Sequence, residues 1–445
     1  MIIVPKNIVT VDAKDRILKD HFVEIEDGKI ISIKKNDESY LKKKKKTVHR
    51  FENLTLIPGF VQTHIHLCQT LFRGLADDLE LLDWLQLKIF PFENAHNKNS
   101  LLASTRLGIN ELLLSGTTTL LDMGTLRHQE IIFDELQNSG MRAIAGKCLI
   151  DENDLFPEFK STIKSELDEI YQLAKTYHNT SNGKIKYGFA PRFVLSCTEK
   201  LLKESFEMKK DFAGSLYHTH SSENKSEIAE IKRRHNKENI EYFNSIGVID
   251  DHSVLAHCIH VNDKETKLLK KNNVRVSHCP SSNLKLGSGI ANIPKYLNEG
   301  ISVSFGADGA PCNNSLSVFN EMRLAALIQK PIHGATVMDA KTVFKLATIE
   351  GAKALHLQKE IGSIEVGKKA DLVLLDMNSN IHSMSESNES IYSNIVYSSS
   401  SDSVNSVMIE GEWKVLNKKS LLYDQTELNY NSKEELKKLL KRINK

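Results

Sequence analysis

The chain carries no charge excess of either sign: 59 Lys and Arg stand against 57 Asp and Glu over 445 residues, a formal net charge of +2. Such a balance gives neither nucleic acid nor an anionic membrane an electrostatic reason to bind, and neither is expected as a partner. No stretch approaches the ~18 consecutive apolar residues that a membrane-spanning helix needs. The opening residues, MIIVPKNIVTVDAKDR, read as a strand and lack the apolar core and cleavage site of a signal peptide. Cysteine pairing is missing too: the six cysteines at 68, 148, 197, 258, 279 and 312 include no CxxC. Several sit in apolar strand-like runs, where a free thiol behaves as a small hydrophobe. A reduced, cytoplasmic protein is expected. The one strong charge block, residues 42–46, follows an early strand pattern and reads as a solvated loop.

What is present is regular alternation. Between about 56 and 355, eight short apolar or β-branched runs are separated by helical stretches such as SLLASTRLGINELLLSG (100–116) and SLSVFNEMRLAALIQK (315–330). The runs are LIPGFVQTH (56–64), TTTLLDM (117–123), RAIAGKCLI (142–150), KIKYGFAP (184–191), SLYHTHSS (215–222), SVLAHCIH (253–260), VRVSHCP (274–280) and ISVSFGAD (301–308). Eight such units predict a TIM-type (β/α)8 barrel over 56–360, with a doubly wound sheet as the alternative. The flanks, 1–55 and 361–423, are rich in strand and turn signals, including Asp-Gly and Glu-Gly between β-like runs. They are expected to form one small β-sandwich from both chain ends. An amphipathic helix is expected within 424–445, and the Ser-rich stretch 398–403 is expected to be a loop.

The first run ends in His64-Ile65-His66. Residues i and i+2 of a strand share a face, so both imidazoles look the same way where the strand leaves the core. Two ligands of one metal ion would need that geometry, although a histidine pair on a strand can also be structural. The other strand ends add His218, His220 and Glu223 (strand five), His257 and His260 (strand six), His278 (strand seven) and Asp308 (strand eight). The C-terminal rim of a barrel is where chemistry sits, and neutral imidazoles with a carboxylate suit a divalent transition metal such as zinc. His218 and His220 share a face, and only one is expected to be a ligand. His220 is chosen because Glu223 follows it on the departing loop. His260 and His278 are read as pocket-wall or supporting residues. Asp308, between two glycines, could be a turn residue, but it ends the eighth run.

Seven motifs in fixed order carry a resemblance: PGFVQTHIHLCQTLFRGLADD, WLQLKIFPFE, HTHSSENKSE, LAHCIHVND, VSHCPSSNLKLGSGIA, SFGADGAPCNNSLSVFNEMRLAALIQK and IGSIEVGKKADLVLLD. Over nearly its whole length the chain resembles the amidohydrolase superfamily, in its branch of 5′-methylthioadenosine/S-adenosylhomocysteine deaminases. The resemblance implies His64, His66, His220 and Asp308 as ligands of a divalent metal, zinc by default with Fe2+ or Mn2+ as alternatives. It implies Glu223 and His257 as catalytic partners and Glu93 as the acid that holds the ribose hydroxyls. Asp308 would take a proton from the attacking water, Glu223 would protonate N1 of the purine and shuttle a proton to the leaving amine, and His257 would polarise the attacking oxygen. Two-metal relatives carry a bridging lysine at the end of strand four. Here that end is FAPRFVLS, with Arg192 and no lysine, so one metal per subunit is expected.

Two departures bear on the substrate. Arg192 stands where the branch usually has a histidine. The arginines that hold the amino-acid carboxylate of S-adenosylhomocysteine are not evident: Lys147 takes the place of the first, and Lys160 is nearest to the second. Loss of a bidentate clamp weakens recognition of that carboxylate, which favours a small-molecule nucleoside with an uncharged 5′ group. The rivals are a guanine deaminase or triazine-type hydrolase, against which Glu93 argues because a free base offers no diol, and a non-catalytic barrel, which would be expected to have lost ligands. A homo-oligomer is expected.

Overall fold

A computed structural model describes residues 1–43, 45–385 and 387–443. Eight parallel strands, Phe60–Ile65, Thr117–Asp122, Arg142–Ala145, Ile185–Pro191, Leu216–Ser221, Ser253–His257, Arg275–His278 and Ser302–Phe305, pair in chain order. The circle is closed from strand eight to strand one by the Asp308 N–H, which donates to the His64 carbonyl at 3.0 Å. A (β/α)8 barrel is therefore the architecture, and the doubly wound alternative falls away. Buried hydroxyls tie its interior: Thr63 on strand one bonds Ser277 on strand seven at 2.7 Å and Ser304 on strand eight at 2.8 Å.

The first predicted run needs a correction. Its residues Leu56–Pro58 belong to a separate strand, Val48–Pro58, that pairs with Ile2–Val9 and Leu372–Asp376, and the barrel strand starts only at Phe60. Gly59 makes the junction because a Cβ there would lie 2.2 Å from the Thr118 hydroxyl. Within the barrel strand the register against strand two shifts between Gln62 and Ile65. A bulge of this kind re-aims side chains, and the adjacent residues Thr63 and His64 both bond across the barrel.

The chain ends meet in one continuous nine-stranded sheet, whose order runs from Lys419–Ser420 through Glu412–Leu416, Val404–Ile409, Leu372–Asp376, Val48–Pro58, Ile2–Val9 and His21–Glu26 to Lys29–Lys35, with Ile17–Lys19 added beside Ile2–Val9. Asp27-Gly28 and Glu410-Gly411 turn its hairpins, with both glycines at positive φ (73° and 80°). The alternation of the first strand divides its residues between two apolar clusters, Ile3 and Ile8 in one and Ile2 and Val4 in the other. Val9, Ile57, Val373 and Val407 join the main core with the barrel. A buried ion pair reinforces that junction: Arg142 Nε, at the start of barrel strand three, donates to Asp371 Oδ2 at 2.9 Å, with both side chains 2% exposed.

Of the basic block, Lys42 and Lys43 end a short helix and Lys46 pairs with Glu24 and Glu26 at 2.9 and 2.5 Å, so the expected solvated loop is tied down there; residue 44 lies outside the described residues. The Ser-rich stretch holds a 3-10 turn at Ser401–Ser403. The last helix is Gln425–Ile443, and 444–445 lie outside the described residues. Among the described residues no helix is long and apolar enough to cross a membrane. Removing one partner of the Arg142–Asp371 pair strands a buried charge, so Asp371→Ala is expected to cost about 3–5 kcal/mol of stability, read as a lower urea midpoint.

Candidate active site

The strand ends deliver their side chains to one place. Donor atoms of His64, His66, His220 and Asp308 all lie within 4.8 Å of one another, and all four residues are buried. Asp308 Oδ1 is 3.3 Å from both His64 Nε2 and His66 Nε2, and His66 Nε2 is 3.3 Å from His220 Nε2. Local backbone fixes this convergence. Asp308 sits at φ 60°, in the left-handed region that Asp tolerates better than most residues. Its carboxylate accepts from Gly309 N at 2.8 Å and from Ser282 Oγ at 2.7 Å. A Cβ on the preceding glycine, Gly306, would fall 2.6 Å from the Cβ of His64, so only glycine lets strand eight approach strand one this closely.

The ring hydrogens are directed away from the cluster. His220 Nδ1 donates to the Arg192 carbonyl at 2.6 Å, which leaves Nε2 with a lone pair. His64 Nδ1 meets His218 Nε2 at 2.8 Å, while His64 Nε2 is buried without a hydrogen-bond partner. Burial pushes the His64 imidazole down to about 4, against the pull of Asp308, and takes His220 well below its ordinary value. Burial alone would raise the Asp308 carboxyl, but the His64, His66 and His257 rings beside it hold it well below the usual range. Neutral imidazoles with free nitrogens and an ionised carboxylate are the donor set that a divalent cation such as zinc takes, so these residues fit one.

Beside the four donors, Glu223 Oε2 lies 3.5 Å from His257 Nε2, which is 3.8 Å from Asp308 Oδ2. His257 Nδ1 donates to Asn283 Oδ1 at 2.8 Å. Burial, with the charges of Asp308 and Glu227, raises the Glu223 carboxyl well above the ordinary range. Gln69, Leu81, Trp84, Leu85, Arg192 and Phe193 complete the walls of the cleft that opens onto these groups. It is a small, partly apolar site with a carboxyl of raised pKa next to a candidate ligand set.

A model described as the amidohydrolase family matches residues 55–414. The chain belongs to that family. It is 37% identical to a 5′-deoxyadenosine deaminase of Methanosphaera stadtmanae, over 86% of this chain and 87% of the relative. It is 34% identical to a 5-methylthioadenosine/S-adenosylhomocysteine deaminase of Acetivibrio thermocellus, over 98% of each. The crystal structure of an adenosine deaminase from Xanthomonas campestris with bound zinc superposes with a TM-score of 0.89 at 26% identity, covering 99% of this chain and 98% of that one.

Within this amidohydrolase the other predicted site residues are placed unevenly. Glu93 is buried and both its oxygens are engaged: Gln69 Nε2 donates to Oε1 at 2.8 Å, and Arg192 Nη1 donates to Oε2 at 2.7 Å. The guanidinium also lies 5.0 Å from the Phe90 ring. Gln69 and Arg192 line the cleft; Glu93 holds them from behind. Lys147 departs from its expected place. It is buried 2.5 Å from Glu166 and 3.6 Å from Glu169, and is not among the cleft's lining residues. Lys160 is half exposed near Asp154. His260 Nε2 donates to the Ser288 carbonyl, and His278 is buried against Phe305 with its pKa pushed down to about 3 by burial.

Residues without a role in the sequence reading support the set. His218 orients His64, Ser282 and Asn283 hold Asp308 and His257, and Asp122 accepts from Leu67 N at 2.9 Å directly after His66. The SHCPSSN motif contained two of them, and their spacing from His278 was the available signal. His220→Ala is expected to abolish stoichiometric zinc binding. His218→Ala keeps all four donors and is expected to weaken affinity about 10–100-fold. Metal analysis after chelator competition measures both.

Proposed function

We propose that the chain is a metal-dependent aminohydrolase that converts a 5′-modified adenosine, such as 5′-deoxyadenosine or 5′-methylthioadenosine, to the inosine derivative and ammonia. The observation that carries this reading is the placement of Glu223, a buried carboxyl 3.5 Å from His257 and next to the four-donor cluster, with burial and nearby carboxylates raising its pKa. The names of the curated relatives point to the same substrates.

His64, His66, His220 and Asp308 hold one divalent cation, with zinc favoured by three imidazoles and one carboxylate. When bound, that cation supplies the Lewis acidity that makes water nucleophilic near neutral pH. Asp308, kept ionised, accepts the proton released as water adds to C6 of the purine. Glu223 donates its proton to N1 during the addition, takes up the proton of the new C6 hydroxyl and passes it to the exocyclic nitrogen, so that the C6–N bond breaks with loss of ammonia and C6 becomes a carbonyl; the proton held by Asp308 then restores the Glu223 acid. His257, with Nδ1 donating to Asn283, offers an unprotonated Nε2 to the hydroxyl of the incoming oxygen. Glu93, Gln69 and Arg192 form the unit that meets the ribose hydroxyls.

The 5′ preference follows from charge. Among the described residues lining the cleft, Arg192 is the only Lys or Arg, and Glu93 already holds it; Lys147 is neutralised by Glu166. A substrate carboxylate such as that of S-adenosylhomocysteine has no bidentate partner, so 5′-deoxyadenosine and 5′-methylthioadenosine are the preferred substrates.

Ammonia release by zinc-loaded protein from 5′-deoxyadenosine, 5′-methylthioadenosine, S-adenosylhomocysteine, adenosine and guanine tests the reading. Turnover of the first two above the rest is expected, and activity on guanine alone would reject it. Glu223→Gln is expected to keep its metal and lose turnover by about 10²–10⁴-fold; an active, metal-replete variant would assign the proton to another group. Burial and the charges of Asp308 and Glu227 raise the folded-state pKa of Glu223, so its acid form persists above the ordinary glutamate range and is lost as pH rises through the raised value. kcat should therefore hold at pH values well above the ordinary glutamate value of ~4.3 and fall only on the alkaline side of the raised one.

A further inference from the structure

One segment, Leu81–Asn94, gives Leu81, Trp84 and Leu85 to the cleft wall; it is made of a short helix, a widened helical turn at Leu85–Ile89 and the helix Phe90–Asn94 that carries Glu93. Its far end is gripped by the last helix of the chain. Arg442 Nε donates to the carbonyl of Ala95, the residue that ends the Glu93 helix, at 2.6 Å, and Arg442 Nη2 donates to Ser100 Oγ at 3.0 Å. Ser100 Oγ also accepts from Asn97 N at 3.0 Å and meets His96 Nδ1 at 3.1 Å. The hydrogen of that hydroxyl has three acceptors in reach, His96 Nδ1, Asn97 Oδ1 at 3.1 Å and the Asn97 carbonyl at 3.2 Å. A carbonyl only accepts, so His96 Nε2–H donates to that of Cys68 at 2.8 Å and Nδ1 is left as the acceptor facing Ser100. The imidazole is buried and neutral, its pKa pushed down to about 4 by burial. Cys68 neighbours Gln69, which returns to Glu93 at 2.8 Å. Arg442, Ser100, His96 and the segment after His66 thus form a closed loop of hydrogen bonds around the hinge behind Glu93.

We propose that Arg442 is a positioning residue for nucleoside binding: the C-terminal helix latches the hinge at Ala95–Asn97 and so fixes Glu93, Arg192 and Gln69 for the ribose diol. It touches neither the four-donor cluster nor the groups that move protons, so its effect belongs in KM and not in kcat. The proposal rests on the reading of Glu93 given above.

The test measures kcat, KM and zinc content for Arg442→Ala, Arg442→Lys, Ser100→Ala and Glu93→Ala. The substrates are 5′-deoxyadenosine and its 2′,3′-dideoxy analogue, and amide hydrogen exchange is followed over residues 85–96. Arg442→Ala and Ser100→Ala are expected to raise KM for the diol substrate about tenfold, with KM for the dideoxy analogue, kcat and zinc unchanged, and to speed exchange over 85–96. Arg442→Lys, which can reach one of the two acceptors, should recover part of the loss. Wild-type KM and exchange in both Arg442→Ala and Ser100→Ala overturn the latch, as does an equal loss on both substrates or a loss of zinc. If Glu93→Ala fails to discriminate the two substrates, the ribose reading falls, and the exchange measurement still decides whether the latch exists.

Discussion

One hydrogen bond organises the site: the Asp308 N–H to the His64 carbonyl, the link that closes the barrel. It requires strand eight to press against strand one, and Gly306 permits this because any side chain there would collide with His64. Closure therefore brings the carboxylate of the last strand onto the two imidazoles of the first. The ligand set is a by-product of completing the circle, and its geometry is as rigid as the barrel. The same closeness explains the left-handed backbone at Asp308, a conformation that the surrounding bonds to Ser282 and Gly309 over-determine.

Much of this was legible from residues alone. Eight apolar runs, five of them with His, Glu or Asp at their ends, announced both the barrel and its working rim, because strand ends are the positions where a buried run must meet polar chemistry. Three things were not legible. Gly59 separates two strands that look like one run, since periodicity cannot show that the pairing partner changes. The bulge at Thr63 and His64 breaks the two-residue alternation, so the argument from shared faces reached His64 and His66 through a regularity the strand does not keep. Partners far apart in sequence were invisible as well: nothing near Lys147 signals that Glu166 will bury with it, and nothing near Glu93 signals Arg192.

Those two pairs share a physical logic. A charge taken out of water must find a partner, and around this cleft the partners are protein groups. Arg192 is met by Glu93 and stacks near Phe90; Lys147 is met by Glu166. Their positive charge is already satisfied inside the fold, so an anionic group arriving from outside would have to compete with a carboxylate held in place. The carboxyls nearest the reaction differ in the opposite sense. Burial and the charges of Asp308 and Glu227 outweigh the pull of Arg192 and raise the Glu223 carboxyl, while the imidazoles beside Asp308 hold its carboxyl low, so environment alone pushes two like side chains toward the roles of acid and base.

The sheet built from both chain ends has a consequence for how the protein is made. Val48–Pro58 lies between Ile2–Val9 and Leu372–Asp376, and it leads within two residues into the barrel strand that ends in His64. During synthesis the first sixty residues leave the ribosome long before the strands that cover their edge exist. Contacts this distant in sequence close late and slowly, and an uncovered strand edge invites pairing with other chains. The edge of Val48–Pro58 that Leu372–Asp376 covers therefore stays open until about the last sixth of the polypeptide arrives, so this sheet can be completed only near the end of synthesis.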